Sequence, residues 1–358
     1  MSEPQEPKRK KLVDEKITIP PSPFLNRFGF GTGVELFRCP RAVVKSPWAY
    51  QILSKRIQPS KDAKKAEANF LQHVSHPNIA RFRMYNKHSK YQYLELLYLQ
   101  GCAMFVGDMI EKKIAKKHEQ FLPKQILKVA ADIACGLEYL HTKMQVLHGD
   151  VKSYNILVKG SFENCQLCDF TALLPLDRNG VLDKNRVGDA EYTGTDAWRA
   201  PEVIHGGEVC SKSDVWALGL TLWEMLTLMP PHAVPGCSTQ PLPANVDNDD
   251  DDVDDAPDDT PDVSPRDGLD RLEESLERID EYFTDRYGTR PAVPVNVSEK
   301  EFMHPLVLFH WCTETEPRKR PTPQELSLAA TDMLNHLNYG VWFPHLNHGG
   351  PGPLCLTS

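Results

Sequence analysis

The sequence predicts an α+β protein built as two lobes, the first rich in strands and the second rich in helices. Short β-like runs surround one helix candidate over residues 24–98, whereas clear helical periodicities appear only after residue 120. Strands followed by helices are typical of an α+β fold or of two separate units. We expect a disordered tail at 1–20, a first lobe at 21–100, a second lobe at 101–338 and a flexible tail at 339–358.

The helices are predicted from apolar residues that recur every three or four positions. The first candidate covers about Asp62–Val74 and ends at the turn His76-Pro77-Asn78. Residues 213–228 are apolar nearly all round, which predicts a buried central helix. The same spacing predicts further helices at 121–143, 269–283 and about 323–337.

Composition is typical of a soluble globular protein, with 41% hydrophobic and 25% charged residues. The polar start MSEPQEPKRKK is no secretory signal, and the apolar stretch WALGLTLWEML is too short to span a membrane. We therefore expect a cytoplasmic or nuclear protein with reduced cysteines, and Cys165 and Cys168 as strand thiols rather than a zinc site. Neither nucleic acid nor a membrane is an expected partner.

The net charge of −8 comes from one acidic run. Between Asp247 and Asp262 lie ten aspartates and no lysine or arginine, and without them the net charge becomes +2. A block of like charges repels itself and cannot form a core. This run predicts a disordered acidic insertion at about 237–267.

Glycines stand near the start of the first lobe, in the stretch FGFGTGVEL. Gly29, Gly31 and Gly33 would let a turn approach a phosphate closely and point backbone N–H groups at it. A G-x-G pattern alone also fits an ordinary hairpin turn, so both interpretations stay open at this point.

The segment HGDVKSYNIL carries the first group of residues with chemical meaning. Phosphoryl transfer needs an acid near the attacking hydroxyl, a cation near the moving phosphate and oxygen ligands for Mg²⁺. Asp150, Lys152 and Asn155 supply those groups, and Asp169 follows fourteen residues later as a second oxygen ligand. A polar loop would explain the first segment alone. It does not explain the ordered set that continues with YTGTDAWRAPE, SDVWALG and RKRP.

These motifs together resemble the eukaryotic protein kinases over about residues 24–338. The resemblance implies the bilobal protein-kinase fold, with a β-rich N-lobe that holds one regulatory helix and an α-rich C-lobe. It also implies transfer of phosphate from ATP to serine or threonine of protein substrates, with tyrosine left open as a further acceptor. Lys152 and Thr195 fit the serine/threonine branch.

Several stretches resemble more closely the PDZ-binding, MAP-kinase-kinase-like group of mitotic kinases: FGFGTGV, SPWA, HPNI, LHGD and LTLWEM. The C-terminal residues LCLTS lack the apolar last residue that PDZ domains favour, which argues against PDZ binding. The expected partners are therefore protein substrates and a nucleotide.

The roles of the site residues follow from the family resemblance. Asp150 would accept or orient the substrate hydroxyl proton, and Lys152 would stabilise charge on the moving phosphoryl group. Asn155 and Asp169 would hold Mg²⁺. The remaining residues would bind ATP or support the site: Gly29, Gly31 and Gly33 over the phosphates, Glu67 on the N-lobe helix, the hinge near Leu97 and Leu99, Asp214 as a brace of the catalytic loop, and Arg320 paired with Glu202.

Gly149 and Gln51 depart from the kinase pattern. Gly149 stands where many kinases have an arginine that receives an activation-loop phosphate, so its presence affects regulation rather than chemistry. Gln51, fifteen residues after Leu36, stands where kinases carry the strand lysine that holds the α- and β-phosphates. Lys45 would replace that lysine only if the preceding hairpin were tighter. Because an amide brings no positive charge, the alternative to an active kinase is a pseudokinase scaffold.

Deletion of Asp247–Asp262 should leave the fold intact, because a uniformly charged segment contributes nothing to a core. The thermal unfolding midpoints of the full and the shortened chain should therefore agree. A drop of more than a few degrees in the shortened chain would show that the acidic run packs against the folded part.

Overall fold

Strands precede helices along the chain, as the sequence predicts. The described residues up to Tyr98 form a strand-rich part and those from Ala103 onward form a mostly helical part, which confirms the α+β class. The computed structural model describes residues 26–31, 34–39, 48–53, 70–86, 94–98, 103–188, 191–232, 286–294, 297 and 299–339.

One antiparallel sheet makes up the strand-rich half. Its strands are β1 (Asn26–Gly31), β2 (Val34–Cys39), β3 (Trp48–Leu53), β4 (Arg81–Asn86) and β5 (Leu94–Tyr98). The order across the sheet is β1-β2-β3-β5-β4, so β3 lies at its centre. A strand at that position is held on both edges by backbone hydrogen bonds, which fixes its register well.

Two small antiparallel sheets lie within the mostly helical part. The strands are β6 (Ala103–Phe105), β7 (Val146–Leu147), β8 (Ile156–Lys159), β9 (Asn164–Leu167) and β10 (Leu174–Pro175). β6, β8 and β9 form one sheet, and β7 pairs with β10. The segment 148–155 therefore leaves β7 and enters β8, while 168–173 leaves β9 and enters β10. Because both pairs of strands are bonded, these two segments are brought side by side.

The helices follow the predicted apolar periodicity. The predicted segment 121–143 forms α2 and a π-helical turn at Leu140–Met144, and its apolar stripe is fully buried. The central helix α5 is buried on every face from Ser213 to Thr227, as its sequence predicts. The bounds are α1 (Val106–Ala115), α2 (Pro123–Tyr139), α3 (Lys184–Val187), α4 (Pro201–Ile204), α5 (Ser211–Thr227), α6 (Glu299–Cys312) and α7 (Pro323–Tyr339).

Other predicted elements lie wholly or partly outside the described residues. Of the predicted helix Asp62–Val74, the structure describes the end, where Phe70 and Leu71 are helical. The tail at 1–20, the acidic insertion at 237–267 and the predicted helix at 269–283 all fall outside, as do residues 340–358. Within the part of the chain that is described, none of the helices has the length and apolar character needed to cross a bilayer.

Asn78 ties the turn after the first predicted helix to β9. Its side-chain amide donates to the carbonyl of Cys165 at 3.0 Å and to Asn164 Oδ1 at 3.1 Å. Its backbone carbonyl accepts the N–H of Leu167 at 2.8 Å. These bonds satisfy the buried side-chain amide of Asn78. They also hold the turn before β4 next to β9, the strand that leads to Asp169.

A buried ion pair joins α4 to the segment just before α7. Arg320 donates from both Nη atoms to the two carboxylate oxygens of Glu202, each at 2.7 Å, which is the pair that the sequence predicts. Its remaining N–H groups bond carbonyls of Lys212, Glu314 and Thr315. The guanidinium is thus satisfied on all sides although Arg320 is only 2% exposed.

Replacing Arg320 by methionine should lower the free energy of unfolding by about 3–5 kcal/mol, because Glu202 would remain buried without its partner. The matched control is Lys319→Met, which removes an exposed pair with Glu316 and should cost at most about 1 kcal/mol. Urea denaturation of both variants measures the difference. Equal losses would mean that Glu202 finds another partner or water.

Candidate active site

The carboxylate of Asp150 lies at the centre of a hydrogen-bond network. Thr195 donates to Asp150 Oδ1 from its hydroxyl at 2.7 Å and from its backbone N–H at 3.0 Å. Lys152 Nζ lies 2.8 Å from Asp150 Oδ2, and Asn155 Nδ2 donates to the same oxygen at 3.0 Å. Lys152 also donates to the Thr195 hydroxyl at 2.7 Å. Three of the predicted residues, Asp150, Lys152 and Asn155, are therefore gathered around one carboxylate, together with Thr195.

These neighbours decide the charge of Asp150. Burial by itself would raise the pKa of this carboxyl, but the Lys152 ammonium and the hydrogen bonds from Lys152 and Thr195 outweigh it and lower the pKa below its ordinary value. Asp150 is therefore ionised at neutral pH. An ionised carboxylate can accept a hydrogen bond from an incoming hydroxyl, which is what orients a nucleophile.

Asp214, in the first turn of α5, fixes the backbone ahead of Asp150. Its carboxylate accepts the N–H of His148 at 2.8 Å and the N–H of Gly149 at 3.0 Å. His141 Nε2 lies 2.8 Å from the same carboxylate, a contact that the sequence reasoning missed because nothing in its local pattern marks this histidine. The bracing role that the resemblance implied for Asp214 is thus visible as three bonds from one fully buried side chain.

Contacts of Cys168 and Phe170, on either side of Asp169, fix its segment beside residues 148–155. Cys168 donates to the carbonyl of Asn155 from its N–H at 3.0 Å, which joins the two segments. The Phe170 ring, 2% exposed, packs 5.7 Å from the ring of Phe70 and 5.2 Å from that of His148. Asp169 has a left-handed backbone with φ of 61°, and its Oδ1 accepts the hydroxyl of Thr171 at 2.7 Å.

The oxygen atoms near this junction fit a hard cation. Asn155 uses its amide nitrogen to bond Asp150, at 2.7 Å to the carbonyl and 3.0 Å to the carboxylate, which leaves its amide oxygen for a metal ion. Asp169 supplies carboxylate oxygens. Among the described residues no group of three or more His, Cys, Asp or Glu side chains could hold a metal.

The predicted nucleotide-binding residues of the first lobe are only partly described. Gly29 and Gly31 lie in β1 opposite Leu36 and Val34 of β2, next to a register shift in β1. Leu97 lies in β5. Gly33, Glu67 and Leu99 lie outside the described residues.

Gln51 lies in the central strand of the sheet. It pairs with Leu36 of β2 on one side and with Glu95 of β5 on the other. Lys45 lies outside the described residues. The backbone register therefore places Gln51 in the third strand of the sheet, and its correspondence to the phosphate-binding lysine stays a prediction.

Gly149 occupies a backbone position that has no space for a side chain. Its φ is 78°, in the left-handed region, and a Cβ built there would overlap the carbonyl oxygen of Ala172. Gly194 is constrained in turn, because a Cβ on Gly194 would overlap the carbonyl oxygen of Gly149. The glycine at 149 is thus required by the close approach of the Ala172 backbone, and the glycine at 194 by that of the Gly149 carbonyl.

The chain matches the protein kinase domain family over residues 24–336. It is 35% identical over 322 residues to lymphokine-activated killer T-cell-originated protein kinase from Homo sapiens. The aligned residues cover 86% of this chain and 88% of that protein. Mitogen-activated protein kinase kinase kinase 13-B from Xenopus laevis is 30% identical over 171 residues, 48% of this chain and 16% of that protein. Mitogen-activated protein kinase kinase kinase 10 from Homo sapiens is 31% identical over 180 residues, 48% and 18% respectively. The family resemblance predicted from the motifs is confirmed.

Replacing Gly149 by alanine should destabilise the protein more than the same change at Gly206. Gly206 also has a left-handed φ, 69°, but a Cβ there meets nothing within 4 Å. Gly206→Ala should cost about 1–2 kcal/mol from backbone strain alone. Gly149→Ala should cost about 1–3 kcal/mol more from the overlap with Ala172. Equal losses in urea denaturation would show that the backbone around Ala172 relaxes freely.

Proposed function

Because the chain belongs to the protein kinase family, we propose that it transfers the γ-phosphate of ATP to serine or threonine hydroxyls of protein substrates. The observation that carries the proposal is the network that joins Asp150, Lys152, Asn155 and Thr195. The hydrogen bonds of Thr195 with both Asp150 and Lys152 support the serine/threonine branch.

Each residue of the network has a part in the transfer. Asp150, ionised at neutral pH, orients the substrate hydroxyl and accepts its proton as the bond to phosphorus forms. Lys152 lies 2.8 Å from Asp150 and places a positive charge where the γ-phosphate would meet that hydroxyl. Thr195 fixes the position of its own backbone relative to Asp150 through its two hydrogen bonds to Oδ1.

Protein kinase domains in general use ATP with a divalent metal ion, and we propose Mg²⁺ for this chain. Asn155 and Asp169 are the protein groups that would hold it, since both carry oxygen ligands and the backbone bond from Cys168 to Asn155 joins their two segments. When bound, Mg²⁺ neutralises charge on the phosphates. Lys152 places its own positive charge beside Asp150 whether or not the metal ion is bound.

A scaffold function is the second candidate, and the place of Gln51 in β3 favours it. A lysine at that strand position makes charge-assisted bonds to phosphates that a neutral amide cannot replace. The difference of about 1.5–3 kcal/mol corresponds to roughly ten- to a hundredfold in nucleotide binding or rate. We therefore propose a slow kinase rather than an inert one, because Asp150, Lys152 and Asn155 keep their mutual contacts.

The similarity to mitogen-activated protein kinase kinase kinases supports a further proposal, a role in intracellular phosphorylation signalling. We propose that this role is mitotic and belongs to the cytoplasm or nucleus.

Purified protein should transfer labelled phosphate from Mg·ATP to a generic basic protein, and Asp150→Asn should abolish the transfer. Gln51→Lys should raise the rate by roughly ten- to a hundredfold, because it restores a positive charge beside the phosphates. Gln51→Met is the matched control, since it removes the amide without adding charge and should bring no gain.

Two results would contradict the assignment of Gln51. If Gln51→Lys has no effect while Lys45→Met abolishes transfer, Lys45 is the phosphate-binding residue. If neither change matters and the protein binds no nucleotide at millimolar Mg·ATP, the scaffold function stands instead.

A further inference from the structure

Three exposed apolar side chains lie where α6 and α7 meet. Met303 and Val307, on α6, are 56% and 40% exposed, and Leu337, in the last turn of α7, is 43% exposed. Single exposed apolar residues are ordinary on a protein surface. Among the described residues, however, six large apolar side chains are exposed, and these three are half of them. Uncovered apolar surface is therefore concentrated at this place.

Two histidines show that these residues are close together. The rings of His304 on α6 and His336 on α7 are 5.4 Å apart between their centroids. Met303 precedes His304 and Leu337 follows His336 in the sequence, so both lie beside that contact. Val307 lies one helical turn after Met303, on the same face of α6. We call Met303, Val307 and Leu337 the α6–α7 corner.

Leu337 continues a stripe that is buried along the rest of α7. Leu326, Ala330 and Met333 are 0%, 0% and 8% exposed, and Leu337 follows them with successive spacings of four, three and four residues. Such spacing keeps all four side chains on one face of a helix. The first three are covered by their neighbours and the fourth is open. The apolar stripe thus extends beyond the surface that packs against it.

The chain carries an apolar segment directly after this corner. α7 ends at Tyr339, and residues 341–346 read VWFPHL, with four large apolar side chains in six positions. The match to the protein kinase domain family ends at residue 336, so this segment lies beyond the part that the family shares. The rest of the tail, HGGPGPLCLTS, has the composition of turns. A run such as VWFPHL gains free energy when it packs against an apolar surface.

The position and length of the segment allow it to reach the corner. Gly340 follows the last residue of α7, and glycine at such a place commonly lets the chain turn back after a helix. The segment begins four residues after Leu337, so it starts beside the corner. Six extended residues span about 20 Å. That length is enough to cross from the end of α7 to the neighbouring turn of α6, which α7 contacts through His304 and His336.

We propose that residues 341–346 fold back and dock on the α6–α7 corner through Trp342 and Phe343. The corner is then an interaction surface whose partner is an apolar, aromatic segment of the same chain. Docking completes the apolar stripe of α7, and residues 347–358 are left to extend from the protein. The corner does not include Asp150 or its hydrogen-bond partners, so the docking is independent of the proposed function.

Thermal unfolding of the full chain tests the docking through two sets of substitutions. The double substitution Trp342→Ser/Phe343→Ser should lower the unfolding midpoint by about 3–10 °C, because two apolar side chains would return to water. Met303→Ser should also lower it, although Met303 is exposed to solvent in the absence of the segment. Because both sets break the same contact, the combined variant should lose less than the sum of the two losses. Additive losses, or no loss from either set, would overturn the proposal.

Leu328 and Leu354 provide matched controls. Leu328 is 59% exposed on α7 and lies nine residues before Leu337, which places it on the opposite face of the helix. Leu328→Ser has about the same helix-propensity cost as Met303→Ser, and its loss should be additive with that of the tail substitutions. Leu354→Ser changes an apolar residue further along the tail and should leave the midpoint unchanged. Coupling of the tail to Leu328 instead of Met303 would place the segment elsewhere and overturn the proposal.

A second readout locates the segment directly. In protein labelled with ¹³C at its methionine methyl groups, the Met303 signal is assigned by its disappearance in Met303→Leu. Aromatic rings that pack against this methyl group shift its resonance. The shift should therefore be present in the wild type and in Leu354→Ser, and it should be lost in Trp342→Ser/Phe343→Ser. A Met303 resonance that is the same in all three proteins would overturn the proposal.

The same signal distinguishes docking within one chain from docking between two copies. Labelled Trp342→Ser/Phe343→Ser protein is mixed with an excess of unlabelled wild type. Docking within one chain predicts that the Met303 resonance of the labelled variant does not change in this mixture. Recovery of the wild-type shift would mean that the corner binds the tail of a second copy, and it would overturn the intramolecular assignment.

Discussion

The geometry of the site depends on the buried carboxylate of Asp214. It accepts two consecutive backbone N–H groups, those of His148 and Gly149, and it is bonded by His141 as well. Successive N–H groups point the same way only when the backbone turns sharply, and Gly149 makes that turn with a φ of 78°. The backbone direction just before Asp150 is therefore set by a residue on the central helix, not by the loop alone.

The same helix holds the catalytic loop a second time through Glu224. Asp214 and Glu224 are ten residues apart on α5, about 15 Å along the helix axis. The Asp214 carboxylate holds the loop before Asp150, and the Glu224 carboxyl holds it after Lys152, at Ser153. Because α5 is buried on every face over this length, the two anchor points keep a constant separation, and the reactive groups between them inherit that rigidity.

Much of this arrangement could be predicted from the sequence. The long-range hydrogen bonds could not, and the reason is physical. Periodicity gave the helices, because an apolar stripe is a local signal, and counting from Leu36 placed Gln51 in β3. Motif spacing identified Asp150 and Asn155. The bonds of Glu224 could not be predicted, since its partners lie 71 and 26 residues away and an acid within an apolar helix carries no local sign of which segments it will meet.

The three backbone segments that meet at Gly149 also constrain which sequences this fold can reach. The carbonyl oxygen of Ala172 stands where a Cβ of residue 149 would project, and Gly194 is packed against the carbonyl of Gly149. A single substitution that introduced arginine at 149 would place its Cβ against the carbonyl oxygen of Ala172 before its guanidinium could reach any phosphate. Gain of that residue would need movement of the backbone at Ala172, so the substitution alone would give a less stable protein. Residues 149 and 172 are thus coupled, because a side chain at 149 can be accommodated only together with a changed backbone at Ala172.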